Sequence, residues 1–325
     1  MRPKILLNKE IHPQAMNFLK QHFDILIANN PSEEALLKNC AEVSAIITRT
    51  SSYINKKIIE ASPKLRVISK TGVGVDNIDV STATEKGILV CNVPGVNNVS
   101  VAEHTVALIL AISKDLLMMD KAVRKGEWGK RYSLTSVELK QKTLGIIGFG
   151  SIGKKVATIC QSFEMKILVY DPYLVSSNVD KLSIDLVNNL EELFQKSDII
   201  SIHVPYNKKT HHLINNSLLR KAKKGAILIN TSRGQIINEK ALFEALKDGP
   251  LSAAGLDVFE EEPVNISNPL ITLENVILTP HSAALTKECS ARIAVEAARA
   301  VIDVLNGKKP RSVFNEEGLR KKGYL

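Results

Sequence analysis

Cysteines, aromatic residues and long apolar runs are all scarce in this 325-residue chain, and each scarcity excludes a class of protein. The four cysteines, Cys40, Cys91, Cys160 and Cys289, lie far apart and form no C-x-x-C pair. That argues against a disulfide scaffold and gives a metal no cysteine cluster, so no metal site is expected. Each cysteine stands in an apolar or helical stretch, where a buried free thiol is the expected state. Aromatics make up only 5 % of the residues, and none interrupts the basic stretches Arg220-Lys-Ala-Lys-Lys224, Lys308-Lys309 and Arg320-Lys-Lys322. The net charge of +9 is therefore read as solvated charge that draws in small anions, and no nucleic-acid partner is expected. No apolar run is long enough to span a bilayer, so no membrane partner is expected. The start, Met1-Arg-Pro-Lys-Ile-Leu-Leu-Asn8, lacks the apolar region and cleavage site of a signal peptide, and a cytoplasmic location is expected. No internal repeat or low-complexity stretch is evident.

What the chain does have is a hydrophobic content of 44 %, enough for two ordinary domain cores. Short apolar runs alternate with helical patterns from end to end, the mark of parallel α/β sheets. In the first hundred residues strands are expected at Lys4–Leu7, Ile25–Ala28, Ala45–Thr48, Arg66–Ser69 and Ile88–Cys91, with a helix start at Asn30-Pro31-Ser32-Glu33. One long helix is expected from Ser100 to about Lys125; it is apolar over most faces and so must be buried in the core or against another subunit. A second series of strands follows at Leu144–Ile147, Lys166–Tyr170, Ile199–His203, Ala226–Asn230, Ser252–Leu256 and Val276–Leu278. A last helix runs from an N-cap at Thr286 to Asn306, with Gly307 just past its end. This C-terminal segment is expected to return to the first unit, making the second an insertion and the cleft between them the expected site.

The most specific stretch is Leu144-Gly-Ile-Ile-Gly148-Phe-Gly150-Ser-Ile-Gly153, followed by Ile167-Leu-Val-Tyr-Asp171. It has the order strand, glycine turn, helix, strand, acid. Gly148 permits the tight turn, Gly150 lets backbone approach a pyrophosphate, and Gly153 lets helix and strand pack closely. The helix starting at this turn offers free N–H groups and a positive dipole end. Asp171 ends the second strand, where a carboxylate accepts from both ribose hydroxyls and repels a 2′-phosphate, which favours NAD over NADP.

Hydride transfer to such a cofactor from a 2-hydroxy acid needs a cation for the carboxylate, a base for the hydroxyl proton, and a group that tunes the base. Candidates at strand ends are Arg233 in Asn230-Thr-Ser-Arg-Gly234, Glu262 in Asp257-Val-Phe-Glu-Glu-Glu-Pro263, and His281 in Thr279-Pro-His281. Singly, each has a plain structural alternative: a loop arginine, a solvated glutamate, a capping histidine. His211-His212 invites a metal reading, but adjacent histidines diverge on a helix or strand and no partner is spaced to complete a site, so a helix-start pair after Thr210 is expected.

Taken together, the motifs resemble the D-isomer-specific 2-hydroxyacid dehydrogenases. The likeness runs over nearly the whole chain: Thr71-Gly-Val-Gly-Val-Asp-Asn-Ile-Asp79, Val99-Ser-Val-Ala-Glu-His104, the glycine turn, His203-Val-Pro205, Asn230-Thr-Ser-Arg-Gly234, Gly255-Leu-Asp-Val-Phe259, Glu262-Pro263 and Thr279-Pro-His281. The resemblance implies that Arg233 binds the substrate carboxylate and carbonyl, that His281 exchanges a proton with the carbonyl oxygen, and that Glu262 orients His281 and favours its protonated form. It implies cofactor contacts at Gly148, Gly150, Ser151, Ile152, Gly153, Asp171, His203, Val204, Pro205, Thr210, Thr231 and Asp257, the last near the nicotinamide. Backbone N–H groups at Val73 and Gly74 would hold the substrate carboxylate as an anion nest. Formate dehydrogenases place Gln where this chain has Glu262, which disfavours formate.

Arg49, in Thr48-Arg-Thr-Ser-Ser-Tyr-Ile54, matches a substrate-facing arginine of phosphoglycerate dehydrogenases, and its fork suits a phosphate or second carboxylate. A strand-end surface arginine is the equal alternative. Three features depart from the family pattern. The chain ends soon after the last helix, where longer phosphoglycerate enzymes carry regulatory domains. Ser282-Ala-Ala-Leu-Thr286 replaces an Ile-Gly-Gly type run, and Gln141 stands where relatives often have Gly. Trp128, in Gly126-Glu-Trp-Gly129, resembles the family's Gly-x-Trp turn and is expected to pack.

The expected fold is α/β in two domains, a Rossmann NAD-binding domain (100–285) inserted into a flavodoxin-like substrate domain (1–99 and 286–325). The expected function is NAD-dependent hydride transfer between a small 2-hydroxy acid and its 2-keto acid, 3-phosphoglycerate/phosphohydroxypyruvate or hydroxypyruvate/glyoxylate, by a homodimer formed through the 100–125 helix region. The alternatives are a phosphite dehydrogenase and an NADH-sensing corepressor-like binding protein.

Overall fold

Two units emerge from the way the chain packs in a computed structural model that describes residues 2–28, 30–133, 136–174 and 183–325. The first unit comprises residues 1–97 and 285–325, the second residues 98–284.

In the first unit, strands β1 (Lys4–Leu7), β2 (Asp24–Ile27), β3 (Val43–Thr48), β4 (Val67–Lys70) and β5 (Leu89–Cys91) form a parallel sheet in the order β2-β1-β3-β4-β5, the flavodoxin-like order. Both faces are covered, so the strands are continuous apolar runs. Ile5, Leu7, Ala45 and Ile47 pack on one side with Ala294, Ala298 and Val301 of helix Lys287–Leu305. Leu6, Ile46, Ile68 and Val90 pack on the other with Leu36, Ile58 and Ile59. Ser32 and Asn55 start their helices by accepting from the N–H groups of Ala35 and Ile58, caps worth about 1 kcal/mol each.

The C-terminal segment stays in this unit for physical reasons. Thr286 caps helix Lys287–Leu305, which helix Glu316–Lys321 follows; Ser69 Oγ donates to Ala297 O at 2.9 Å in its middle, and Arg66 Nη2 reaches Val304 O at 3.2 Å, satisfying a carbonyl of its last turn. Beyond Gly307 (φ +72), the buried Asn315 accepts from Val90 N and donates to Ile88 O.

In the second unit, β6 (Thr143–Ile147), β7 (Lys166–Tyr170), β8 (Asp185–Leu186), β9 (Ile199–Ile202), β10 (Ala226–Asn230), β11 (Leu251–Leu256) and β12 (Val276–Leu278) form a parallel sheet ordered β12-β11-β10-β9-β6-β7-β8. The order reverses direction at β6, where β6 pairs with both β7 and β9. That switch point is where ligands of doubly wound sheets bind.

Several expectations are corrected. The single helix from Ser100 to about Lys125 is two helices, Asn98–Ser113 and Leu116–Arg124, separated at Asp115 (φ +50). The polar pair Lys114-Asp115 interrupts the apolar pattern, with Lys114 Nζ bonding Val137 O and Ser136 Oγ bonding Asp115. Only the first helix is extensively buried; in the second, Leu116, Leu117 and Val123 are each more than half exposed. Trp128 is not buried but 65 % exposed, its one ring contact among the described residues being the Arg131 guanidinium at 5.7 Å. His211 and His212 do not diverge: a left-handed residue at His212 (φ +48) turns the chain so that the rings stack with centroids 4.0 Å apart. They precede a short bridge at Ile214, and the next helix starts only at Asn216. β3 starts at Val43, two residues early, and β8 is too short and polar for its pattern to show. Gln141 takes φ +63, a left-handed position that a glycine would occupy without strain.

Candidate active site

The candidate site residues that follow strands of the second unit fall at the C-terminal ends of those parallel strands and so along one edge of the sheet. The glycine turn follows β6, Asp171 follows β7, His203 follows β9, Arg233 follows β10, Glu262 follows β11 and His281 follows β12.

At the turn, Gly148 has φ +90, and a Cβ there would lie 2.8 Å from His203 O. A Cβ on Gly153 would lie 2.3 Å from Gly148 O, so helix Ser151–Gln161 can pack this closely only on a glycine. At Gly150 the opposite holds, because an added Cβ meets nothing within 4 Å. Gly150 is also the N-cap of that helix and provides no side-chain cap. The result is an open approach to the first N–H groups of a helix, fit for a phosphate. Ser151 and Ile152 form its first turn. Asp171 Oδ2 accepts from Phe149 N at 2.8 Å, and Oδ1 accepts from Tyr173 N at 2.9 Å. The acid that ends β7 therefore also pins the glycine turn.

The far rim is held by local bonds. His203 N donates to Ile147 O, and its ring lies 2.9 Å from Ser201 Oγ; burial pushes the imidazole down to about 4, so it is neutral near pH 7. Thr210 Oγ1 donates to Pro205 O at 2.8 Å and accepts from Asn207 N, bracing the turn of Val204 and Pro205. Thr231 is buried and bonds Thr105 at 2.9 Å.

Arg233, Glu262 and His281 come together. His281 Nδ1 lies 2.6 Å from Glu262 Oε2, and Glu262 Oε1 accepts from Phe259 N at 3.1 Å. Burial alone would push Glu262 up, but the hydrogen bond and charge of His281, the Phe259 N–H and the Arg233 charge outweigh it and hold the carboxyl below its ordinary value. An ionised carboxylate only accepts, so Nδ1 is the donor and Nε2 is the ring nitrogen left for proton exchange. His281 itself has φ +50, a left-handed conformation that costs a residue with a Cβ roughly 1–2 kcal/mol.

Asp257, expected near the nicotinamide, also organises the turn of His281. It is 0 % exposed, and Oδ1 accepts from Ser282 N at 2.8 Å and Oδ2 from Ala283 N at 2.9 Å, while its own carbonyl accepts from His281 N. Its carboxylate holds the turn that carries His281. Sequence reasoning missed Asn230 in the same role for Arg233. Fully buried at the end of β10, Asn230 accepts from Ser232 N and donates to Arg233 O at 2.9 Å. The available signal was an Asn followed by a turn, since its side chain bonds backbone two residues on.

In the first unit, Arg49 and the Thr71–Gly74 turn share the C-terminal end of β3 and β4. Arg49 N donates to Asn8 Oδ1, Asn77 Nδ2 donates to Arg49 O, and Thr71 Oγ1 donates to Thr48 O. Arg49 Nη1 lies 3.4 Å from Glu10 O, and the partly exposed Val73 accepts from Asn92.

The sequence model of the family described as "D-isomer specific 2-hydroxyacid dehydrogenase, NAD binding domain" matches residues 106–283. The chain belongs to the D-isomer specific 2-hydroxyacid dehydrogenase family. A glyoxylate reductase of Thermofilum pendens is 42 % identical over 98 % of this chain and 96 % of its own length. A D-3-phosphoglycerate dehydrogenase of Methanocaldococcus jannaschii is 40 % identical over 96 % of this chain, which spans 59 % of that longer relative. Among solved structures, the D-lactate dehydrogenase of Aquifex aeolicus complexed with NAD and lactic acid has a TM-score of 0.83 at 31 % identity, covering 98 % of each chain. Members of this 2-hydroxyacid dehydrogenase family are nicotinamide-dependent oxidoreductases. Among the described residues, no helix is long and apolar enough to cross a membrane, and no group of three His, Cys, Asp or Glu side chains is placed to hold a metal ion. All four cysteines are buried free thiols, and burial pushes Cys91 and Cys160 up to about 12.

Proposed function

We propose that this 2-hydroxyacid dehydrogenase interconverts a small 2-hydroxy acid and its 2-keto acid with NAD(H), running chiefly as a reductase of hydroxypyruvate, glyoxylate or phosphohydroxypyruvate. The observation that carries this reading is the 2.6 Å contact of His281 with a Glu262 that the Arg233 charge helps to keep ionised. A bound nicotinamide supplies the hydride. Arg233 binds the substrate carboxylate and draws charge onto the carbonyl oxygen, His281 Nε2 delivers the proton to that oxygen, and Glu262 holds the imidazole in register. In the oxidative direction the same nitrogen takes the hydroxyl proton. Gly148, Gly150, Ser151, Ile152 and Gly153 would hold the pyrophosphate and Asp171 the ribose, with His203, Val204, Pro205, Thr210 and Thr231 along the cofactor's rim. Val73, Gly74 and Arg49 are proposed as substrate ligands.

The protein is proposed to act as a cytoplasmic homodimer through the 100–125 region. Support comes from Leu116, Leu117, Met118 and Val123, which lie 45–59 % exposed on helix Leu116–Arg124.

NADH consumption across phosphohydroxypyruvate, hydroxypyruvate, glyoxylate, pyruvate and branched keto acids tests the reading through kcat/KM. Silence on every one of them, with NADH still bound, would sink it. In the same assay, Arg49→Ala is expected to lower kcat/KM for phosphohydroxypyruvate about 10–100-fold more than for glyoxylate, the loss of a charge-assisted pair. Equal losses would assign Arg49 to the strand end alone. Asp171→Ala is expected to lower the NADH/NADPH ratio of kcat/KM by about 10–100-fold, because one charged acceptor is removed and one repulsion relieved. Any loosening of the turn at Phe149 affects both cofactors and cancels in that ratio, so an unchanged ratio would count against the ribose role.

A further inference from the structure

Helix Asn98–Ser113 reaches the turn of His281 through His104. His104 Nε2 lies 3.0 Å from Thr279 Oγ1 and 3.5 Å from Asp257 Oδ1, and its side chain is 23 % exposed. Thr279 Oγ1 lies 2.5 Å from the same Asp257 oxygen. That oxygen already accepts from Ser282 N, and Oδ2 accepts from Ala283 N. A hydroxyl has one proton. Thr279 gives its proton to Asp257, so toward His104 it can only accept, and His104 Nε2 must carry a hydrogen.

The three side chains bracket the turn of His281. Asp257 grips it two residues before His281, through Thr279, and at the two residues after, through Ser282 and Ala283. The left-handed His281 lies between them, its N–H on Asp257 O at 2.8 Å. With an acceptor-only carboxylate at the centre, the Thr279 hydroxyl has two orientations open to it unless a donor faces its lone pair. His104 is that donor.

We propose that His104 is a positioning residue. Its Nε2–H fixes the Thr279 hydroxyl on Asp257, and the pair then holds the turn in the conformation that keeps His281 Nδ1 against Glu262. This rests on the reading of His281 as the proton-exchanging group. His104 touches neither substrate nor cofactor in this role.

The test uses full-length His104→Leu, His104→Gln and Thr279→Val, with kcat, KM and NADH affinity by fluorescence titration. His104→Leu keeps bulk but has no donor. It is expected to lower kcat about 10-fold or more, as small misplacements of a catalytic group do, while NADH affinity changes less than about twofold. KM for the keto acid should change far less than kcat, because the substrate's own ligands are untouched. His104→Gln, whose amide N–H can replace the donor, should recover most of the rate. Near-normal kcat in His104→Leu would overturn the proposal, and so would a Gln variant as impaired as the Leu variant. If His104→Leu does not fold, Thr279→Val removes the same bond from the other side and is read by the same criteria. His281→Ala separates the two readings. Turnover surviving that change sinks the proton-exchange role itself, whereas its loss beside an unaltered His104→Leu sinks only the positioning role.

Discussion

Replacing His281 by alanine is expected to lower kcat by about 10²–10⁴-fold, the usual share of a positioned general acid, with NADH affinity nearly unchanged. The physical reason lies in the pairing at Nδ1. Glu262 is anchored at both oxygens, to His281 at 2.6 Å and to Phe259 N at 3.1 Å, and is held ionised although burial opposes it. The imidazole is thus fixed at one nitrogen and left with the other for the substrate. Alanine removes the proton donor but disturbs nothing at the glycine turn, which belongs to β6 and its helix. Binding of NADH, followed by fluorescence, should therefore be separable from turnover, followed by absorbance. Near-normal kcat in a folded His281→Ala protein would remove His281 from the mechanism. Glu262→Gln offers a graded comparison: it keeps the shape but not the charge, and should lower kcat less than His281→Ala does while leaving NADH affinity nearly unchanged.

The parts of this molecule that could be read from sequence are those whose cause is local. A buried parallel strand is a short apolar run, and Ala226–Asn230 or Lys166–Tyr170 could hardly be anything else. The glycine turn is legible because φ +90 at Gly148 and the 2.3 Å approach at Gly153 leave no other residue type. Arg233, Glu262 and His281 were ambiguous singly and gained meaning only from their shared family frame. What sequence could not give is decided by contacts distant along the chain. The family frame alone suggests a cofactor neighbour at Asp257; only the fold adds the Ser282 and Ala283 N–H groups turned back onto its carboxylate. The break at Asp115 was hidden because apolar residues continue on both sides, and a left-handed Asp leaves no periodic trace. His211 and His212 stack because His212 takes φ +48, a backbone choice that a rule for helices and strands does not anticipate.

Arg233→Ala is expected to lower kcat/KM for every 2-keto acid by about 10²–10⁴-fold, the cost of roughly 3–5 kcal/mol when one partner of a desolvated charge pair is lost. The side chain is not simply a cation in a loop. Asn230, fully buried, donates to Arg233 O and accepts from Ser232 N, while Arg233 Nη1 donates to Ser232 O at 2.7 Å. The guanidinium therefore leaves a stiff turn with its direction set. Its charge also reaches Glu262, so its removal should affect the acid–base pair as well as the substrate. Arg233→Lys separates these contributions. An ammonium restores the charge but not the planar fork, so it should recover less than the charge alone would predict and leave KM well above the parent value. Added guanidinium should partly rescue Arg233→Ala and do nothing for His281→Ala. If Arg233→Lys were as active as the parent, bidentate binding of the carboxylate would be wrong. If Arg233→Ala lost stability rather than activity, Arg233 would belong to the turn that Asn230 builds and not to the substrate.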